Sequence, residues 1–253
     1  MCGGEISAET PPTAFSADIV KLPESTNSIG MKFKRLPPGT FTMGEGDDAH
    51  KVTLTKPINM GVYEVTQTQY ELVMSSKRSF EKGADIPVDR VSWEDAVEFC
   101  RKLSELPAEK SAGNVYHLPT EAEWEYACRA GTTTRFSFGD DESEFGDYVW
   151  SLENSGDKTH AVGCKKPNAW GLHDMHGNVW EWCRDWYDDF SKGGLTDPAG
   201  PTAGAGRVIR GGGSSLAAAH CRSASRIWSV PTDRFSTFGF RVVQLTSAVK
   251  AEP

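Results

Sequence analysis

"KKPNAWGLHDMHGNVWEWCRDWY", residues 165–187, gathers four tryptophans, two histidines and three acidic residues in a stretch that keeps neither helical nor strand periodicity. Glycines at 171 and 177 break it further. Such a segment folds by irregular packing: each indole buries a large area without a regular element, provided its N–H finds an acceptor. From Thr132 to Gly239 the chain is glycine-rich in the same manner, so tryptophan packing, rather than long helices or strands, is expected to hold this half together.

The preceding half is more regular. "SIGMKFKRLPPGTFTMG" (28–44) alternates apolar and polar residues around Pro37-Pro38-Gly39 and predicts a hairpin. "HKVTLTKPINMGVYEVT" (50–66) continues as strand. Thr66 then suits an N-cap, with Tyr70, Leu72 and Val73 as the apolar face of a short helix. "VSWEDAVEFCRKLSEL" (91–106) predicts the clearest helix: Ser92 caps it, acidic residues fill its first turn, and Ala96, Phe99, Cys100 and Leu103 recur at helical spacing. "YHLPTEAEWEYACRAG" (116–131) predicts a second, with Thr120 before it, Trp124, Ala127 and Cys128 on one stripe, and Gly131 at its end. Residues 1–27 and 248–253 are expected as tails, leaving one domain over 28–247.

Composition narrows the partners. The 253 residues are 38% hydrophobic and 25% charged, enough for a substantial core. A formal charge of -8, with no block of Lys or Arg, makes nucleic acid and anionic membrane poor partners. No apolar run approaches the roughly 20 residues that cross a bilayer. The six cysteines form no Cys-x-x-Cys pair, against a structural zinc site. Cys2, among small residues, resembles the start of a processed bacterial lipoprotein; the compartment is cytoplasmic as written, or extracytoplasmic and lipid-anchored if Cys2 carries lipid. His50, His117, His160, His173, His176 and His220 form no helical cluster, and the His173/His176 pair is expected to be solvated.

Six motifs in order carry a resemblance: "GVYEVTQTQYELVM" (61–74), "PVDRVSWEDAVEFCRKLS" (87–104), "YHLPTEAEWEYACRAGT" (116–132), residues 165–187, "RVIRGGGSS" (207–215) and "GFRVV" (239–243). Over roughly 28–245 the chain resembles the formylglycine-generating enzyme, or sulfatase-modifying factor, family. The resemblance implies an α+β, C-type-lectin-like fold with two main helices, small antiparallel sheets and much irregular structure. It does not settle chemistry, because that fold serves oxidases, sulfoxide synthases and ligand-binding proteins alike.

The family's oxidases use two cysteines five positions apart between Arg-Gly-Gly and Gly-Phe-Arg, where soft thiolates bind Cu(I). Here the matching positions are Ala218 and Ser223, and Cys221 alone is present. A methyl and a hydroxyl cannot replace two thiolates, so no catalytic residue is assigned and no copper is expected. The sulfoxide synthases need a histidine iron triad, which this sequence lacks. The resemblance also implies structural Ca²⁺ in residues 174–181, held by the carboxylates of Asp174 and Glu181 and the carbonyls of Gly177 and Val179.

"RGGGSSLAAAHCRSASRIWSVPTDRFSTFGFRVV" (210–243) resembles the variable region of retroelement-diversified proteins, which share this lectin-like fold. Randomised adenines in Asn codons of such regions yield Ser, Leu, Ala, His, Ile, Val, Thr or Phe. Those residues occupy Ser215, Leu216, Ala217, His220, Ser225, Ile227, Ser229, Val230, Thr232, Phe235, Ser236, Thr237 and Phe238, with Trp228 fixed among them. The resemblance implies a ligand-binding surface of these fourteen residues on a frame of Gly211, Gly212, Arg222, Arg226 and Arg241. Its partner is a protein, glycan or small molecule. Ser214, where the family commonly has an aromatic, is expected to open a pocket beside Trp228. The alternatives are a surface of tolerant loop residues, and an oxidase acting on sulfatase cysteines or another oxidase of the family.

Overall fold

The computed structural model describes residues 20–190 and 193–246. In chain order the strands and helices begin with β1 (Glu24–Thr26), β2 (Lys32–Leu36), β3 (Gly39–Met43), β4 (His50–Leu54) and β5 (Ile58–Gly61). Next come α1 (Gln67–Met74), α2 (Trp93–Glu105), α3 (Pro107–Ala112), β6 (Val115–His117), α4 (Glu121–Arg129), α5 (Phe145–Tyr148) and α6 (Leu152–Ser155). The last strands are β7 (Trp180–Trp186), β8 (Leu195–Thr196), β9 (Arg207–Arg210), β10 (Arg226–Ser229), β11 (Phe238–Gly239) and β12 (Val243–Leu245).

Three sheets organise them. The first, in the order β1-β2-β5-β12-β6, is antiparallel throughout. Its central β12 draws the end of the fold back between strands from the beginning and middle. The second runs β10-β9-β7-β11 and the third β3-β4-β8. Each is mixed rather than purely antiparallel, because β11 lies parallel to β7 and β8 parallel to β4. The fold also starts earlier than residue 28: β1 pairs with β2, and the Val20 N–H donates to the Ala169 carbonyl at 2.8 Å. Cys2 and both tail ends lie outside the described residues.

The hairpin expected around Pro37-Pro38-Gly39 does not form. Leu36 pairs with Ile58 in the first sheet, while Gly39 pairs with Leu54 in the third. Two prolines carry no N–H with which to close a ladder, so the chain passes between sheets here. The Tyr126 hydroxyl holds this passage by donating to the Pro37 carbonyl at 3.0 Å.

The predicted helices form with their caps. Thr66, Ser92 and Thr120 each accept from the backbone of the third helical residue, whose side chain returns the bond. In α2 all four apolar positions are buried. In α1, Tyr70 and Val73 are buried but Leu72 is 61% exposed. Two residues along a helix is about 200° of rotation, so Leu72 faces outward from Tyr70. Helix α4 is buried on every side, including Glu121, Glu125 and Arg129, rather than along one stripe. Phe99 stacks on Tyr70 at 5.8 Å and meets Phe240 edge-on at 5.3 Å, joining α1 and α2 to the Gly-Phe-Arg motif.

Candidate binding surface and its buried frame

Strand β9 ends at Arg210, and the chain turns through Gly211 and Gly212 at φ of +96° and +83°. A side chain at Gly212 would also meet the Cys221 backbone, so glycine is required there twice over. Arg210 is fully buried, paired with Glu125 and donating to the Ser225 carbonyl at 2.7 Å. It ties α4 to both ends of the 210–226 loop. Arg226 grips both oxygens of Glu121 at 2.7 and 2.9 Å, with Tyr187 and Phe190 rings 4.1 Å from its guanidinium. Arg241 grips both oxygens of Glu181 at 2.6 and 2.7 Å and donates to the carbonyls of Gly61 and His173. Arg222, half-buried like Arg226, pairs instead with Glu45 on the surface.

Between these anchors the side chains turn outward. His220, Ile227, Trp228, Val230, Thr232, Phe235 and Ser236 are exposed, and Ser215, Leu216, Ala217, Ser225 and Thr237 are half-buried. Two of the fourteen predicted positions are internal. Phe238 is buried in β11 and meets Trp182 edge-on at 5.3 Å, and the buried Ser229 hydroxyl bonds the Asp233 carboxylate.

The surface positions do not converge on one cavity. Leu216, His220, Ser225 and Ile227 line a cleft of about 530 Å³ with Trp180 and Phe190. Phe235 and Ser236 border a separate concavity with Arg78, Lys82, Arg90 and Arg234. Ser214 opens no pocket beside Trp228: it is buried, its N–H donates to the Asn178 carbonyl, and its own carbonyl accepts from Ser155.

The positions matched to the oxidase cysteines are also internal. Ala218 and Ser223 are buried, and Ser223 lies beside the Cys128 thiol. Burial pushes the Cys221 thiol up to about 12, so without a metal beside it the thiol is protonated at neutral pH. The expectation of a solvated histidine pair is overturned at His176, which is 3% exposed. Its Nδ1 donates to the Cys221 carbonyl at 2.7 Å and its Nε2 accepts from the Ser137 N–H at 3.1 Å. Burial lowers it to about 4, keeping it neutral as a link among three segments.

The 174–181 segment brings carboxylates together inside the protein. Asp174 is buried; its Oδ2 accepts from the Gly163 N–H at 2.7 Å, while Oδ1 has no hydrogen-bond partner. Burial raises this carboxyl to about 6. Glu181 accepts from Arg241 and from the Trp124 indole N–H at 2.8 Å. Glu64, which sequence reasoning missed, accepts from Val179 N–H and Asn178, and burial with Asp174 and Glu181 nearby drives its carboxyl well up. Its only sequence signal is an acid inside the strand-like "GVYEVT". Gly177 has φ +88°, and a Cβ there would strike the Trp150 carbonyl. Asp174 Oδ1 is thus an orphaned buried oxygen, while both Glu181 oxygens are held by Arg241 and Trp124, and among the described residues no group of three or more His, Cys, Asp or Glu side chains is arranged to hold a metal ion.

Over residues 22–246 the chain matches the Sulfatase-modifying factor enzyme 1-like domain, and it belongs to that family. Its fold is accordingly the α+β, C-type-lectin-like fold of formylglycine-generating enzymes. It is 35% identical to the formylglycine-generating enzyme of Streptomyces coelicolor, across 66% of this chain and 56% of that one. Against the formylglycine-generating enzyme of Mus musculus it is 36% identical, across 61% and 43%. The chain thus spans about half the length of these curated relatives. Among solved structures, Treponema denticola variable protein 1 superposes with a TM-score of 0.80 at 31% identity, covering 87% of this chain and 98% of that one. PvdO from Pseudomonas aeruginosa gives 0.76 at 27% identity, covering 94% and 99%.

Proposed function

We propose that this protein is a non-catalytic ligand-binding member of the sulfatase-modifying factor family, with residues 213–238 as its recognition surface. The observation that carries this reading is the division within the segment. The residues that set the backbone, Arg210, Gly211, Gly212, Cys221, Phe240 and Arg241, are buried, whereas twelve of the fourteen assorted positions reach the surface. A rigid support carrying interchangeable side chains suits recognition of a protein, glycan or small molecule. The likeness to a variable protein supports retroelement diversification of the same segment.

Diversification is tested at the gene. A neighbouring reverse transcriptase, with a near-copy of codons 210–243 differing only at adenines, is the expected finding; its absence leaves a static binding module. Catalysis is tested by incubating the protein and copper with a sulfatase-type Cys-x-Pro-x-Arg peptide. No formylglycine is expected, since Ala218 and Ser223 supply no thiolate; clear conversion, which the 35% identity to an oxidase makes worth seeking, overturns the non-catalytic reading.

Asp174, Glu181 and the carbonyls of Gly177 and Val179 are proposed to hold Ca²⁺ in a structural role. The unpartnered Asp174 Oδ1 supports it. The cation would offset the surplus of buried negative charge facing Arg241.

A further inference from the structure

A second cleft, of about 320 Å³, lies beside the first and shares only Phe190 and Arg226 with it. Met43, Phe190, Leu195, Pro198 and Pro201 are among its apolar walls, and Asp185, Asp188 and Asp189 supply acids. Of residues 210–243 only Arg226 lines it, so its chemistry does not depend on the assorted positions.

The charges in this cleft are unevenly matched. Arg226 is neutralised by Glu121 and lies 4.1 Å from each of the Tyr187 and Phe190 rings. Asp185 Oδ2 accepts from the Glu121 N–H at 2.8 Å, which orients the carboxylate at the start of α4. Among the described residues its Oδ1 has no hydrogen-bond partner, and none of the three aspartates forms a salt bridge. His50 adds a second, independent signal. It is only 9% exposed and lines the same cleft, with its ring 4.8 Å from that of Phe190. Its Nδ1 lies 2.8 Å from the Asp48 carbonyl, which can only accept, so Nδ1 carries the proton. Nε2 of the neutral ring is then a lone-pair acceptor, and it is buried without a partner.

We propose that this cleft binds an alkylammonium group carried on a short apolar body. The ammonium has three N–H donors for the Asp185 carboxylate and His50 Nε2, and its carbon body suits the apolar walls. A quaternary ammonium has no donor for these acceptors. A metal ion suits them less, because among the described residues no group of three or more His, Cys, Asp or Glu side chains is arranged to hold one. Burial, with Glu121 close by, raises the Asp185 carboxyl to about 7, which a bound cation would relieve. The group arrives either as a free amine or as a lysine side chain of a polypeptide.

The test is titration of the whole protein with phenethylammonium, followed by calorimetry and amide chemical shifts, with neutral 2-phenylethanol as the matched control. Saturable binding of the amine alone is expected, weakened at least tenfold in Asp185→Asn and in the Asp188→Asn/Asp189→Asn pair. The paired substitution sits at two exposed positions and keeps the test independent of any folding defect at Asp185. No saturation, equal binding of the alcohol, or unchanged binding by both variants with native circular dichroism overturns the proposal. N-acetyl-lysine-N-methylamide distinguishes the sources: binding as tight as the free amine assigns a lysine side chain, and much weaker binding assigns a small-molecule amine. Neither result depends on whether residues 213–238 are diversified.

Discussion

At the residue scale, two buried charges with different surroundings lead to different expectations. Arg241 and Glu181 are both fully buried and share two hydrogen bonds. Replacing Arg241 with Met strands a carboxylate in the core, which costs about 3–5 kcal/mol. Urea denaturation should show that loss, and an unchanged midpoint would mean that water or another cation reaches Glu181. Asp185 has no such partner, and burial raises its carboxyl from 3.8 to about 7. Between those values the folded state holds more protons than the unfolded state, so its contribution is full below about 4 and falls as pH rises to 7. Asp185→Asn removes the titration. Its melting temperature should exceed that of the parent at pH 7.5 and converge with it near pH 4; a constant offset would assign the effect to packing.

At the element scale, caps and one loop carry the expectations. The reciprocal cap of Ser92 and Asp95 closes the start of α2, whose buried face holds Phe99 against Tyr70 and Phe240. Ser92→Ala should cost about 1 kcal/mol by denaturant melts, whereas Ser92→Asp should retain most of the stability. The 174–181 loop joins its partners through Glu64, Trp124 and Arg241. With the proposed Ca²⁺ bound only to the folded state, a hundredfold excess over Kd adds about 2.7 kcal/mol. Chelator should therefore lower the melting temperature and Ca²⁺ restore it, while the same melt in both conditions removes the ion from this loop. The caps were legible because Thr-x-x-Gln, Ser-x-x-Asp and Thr-x-x-Glu are local patterns spanning one helical turn. The outward face of Leu72 and the full burial of α4 were not. An eight-residue helix leaves little periodicity to read, and Arg210 and Arg226, which pair with Glu125 and Glu121, lie at least 85 residues away.

At the scale of the whole molecule, the protein separates a load-sharing frame from a tolerant face. Simultaneous substitution of His220, Ile227, Val230, Thr232, Phe235 and Ser236 by other small or apolar residues should change stability by roughly 0.5 kcal/mol or less per site. Phe240→Ala, by contrast, removes a wholly buried ring touching both Tyr70 and Phe99 and should cost about 3–5 kcal/mol. Thermal melts of the two variants side by side test the division. A large loss from the six surface changes would place those side chains in the frame. Indoles tie the regular and irregular halves together: those of Trp93 and Trp124 donate to the Cys183 carbonyl and Glu181, and that of Trp182 to the Val91 carbonyl, whereas the Trp150 indole N–H is buried without a partner. Each bond links segments at least 57 residues apart.

The order of six motifs identified the family and its α+β fold, and hydroxyl caps with apolar spacing located the main helices, because those signals reside within a few residues of one another. The same residues also marked the assorted positions of the 210–243 segment and the missing pair of thiols. Only the tertiary structure decided which assorted positions face outward, removing Ser229 and Phe238 and dividing the rest between two concavities. It sent the strands flanking Pro37-Pro38 to different sheets and turned His176 from a loop residue into a buried link. It also placed Asp185 and His50 on the walls of one cleft. These outcomes rest on contacts between distant segments, where burial and the pairing of buried polar groups outweigh local preference.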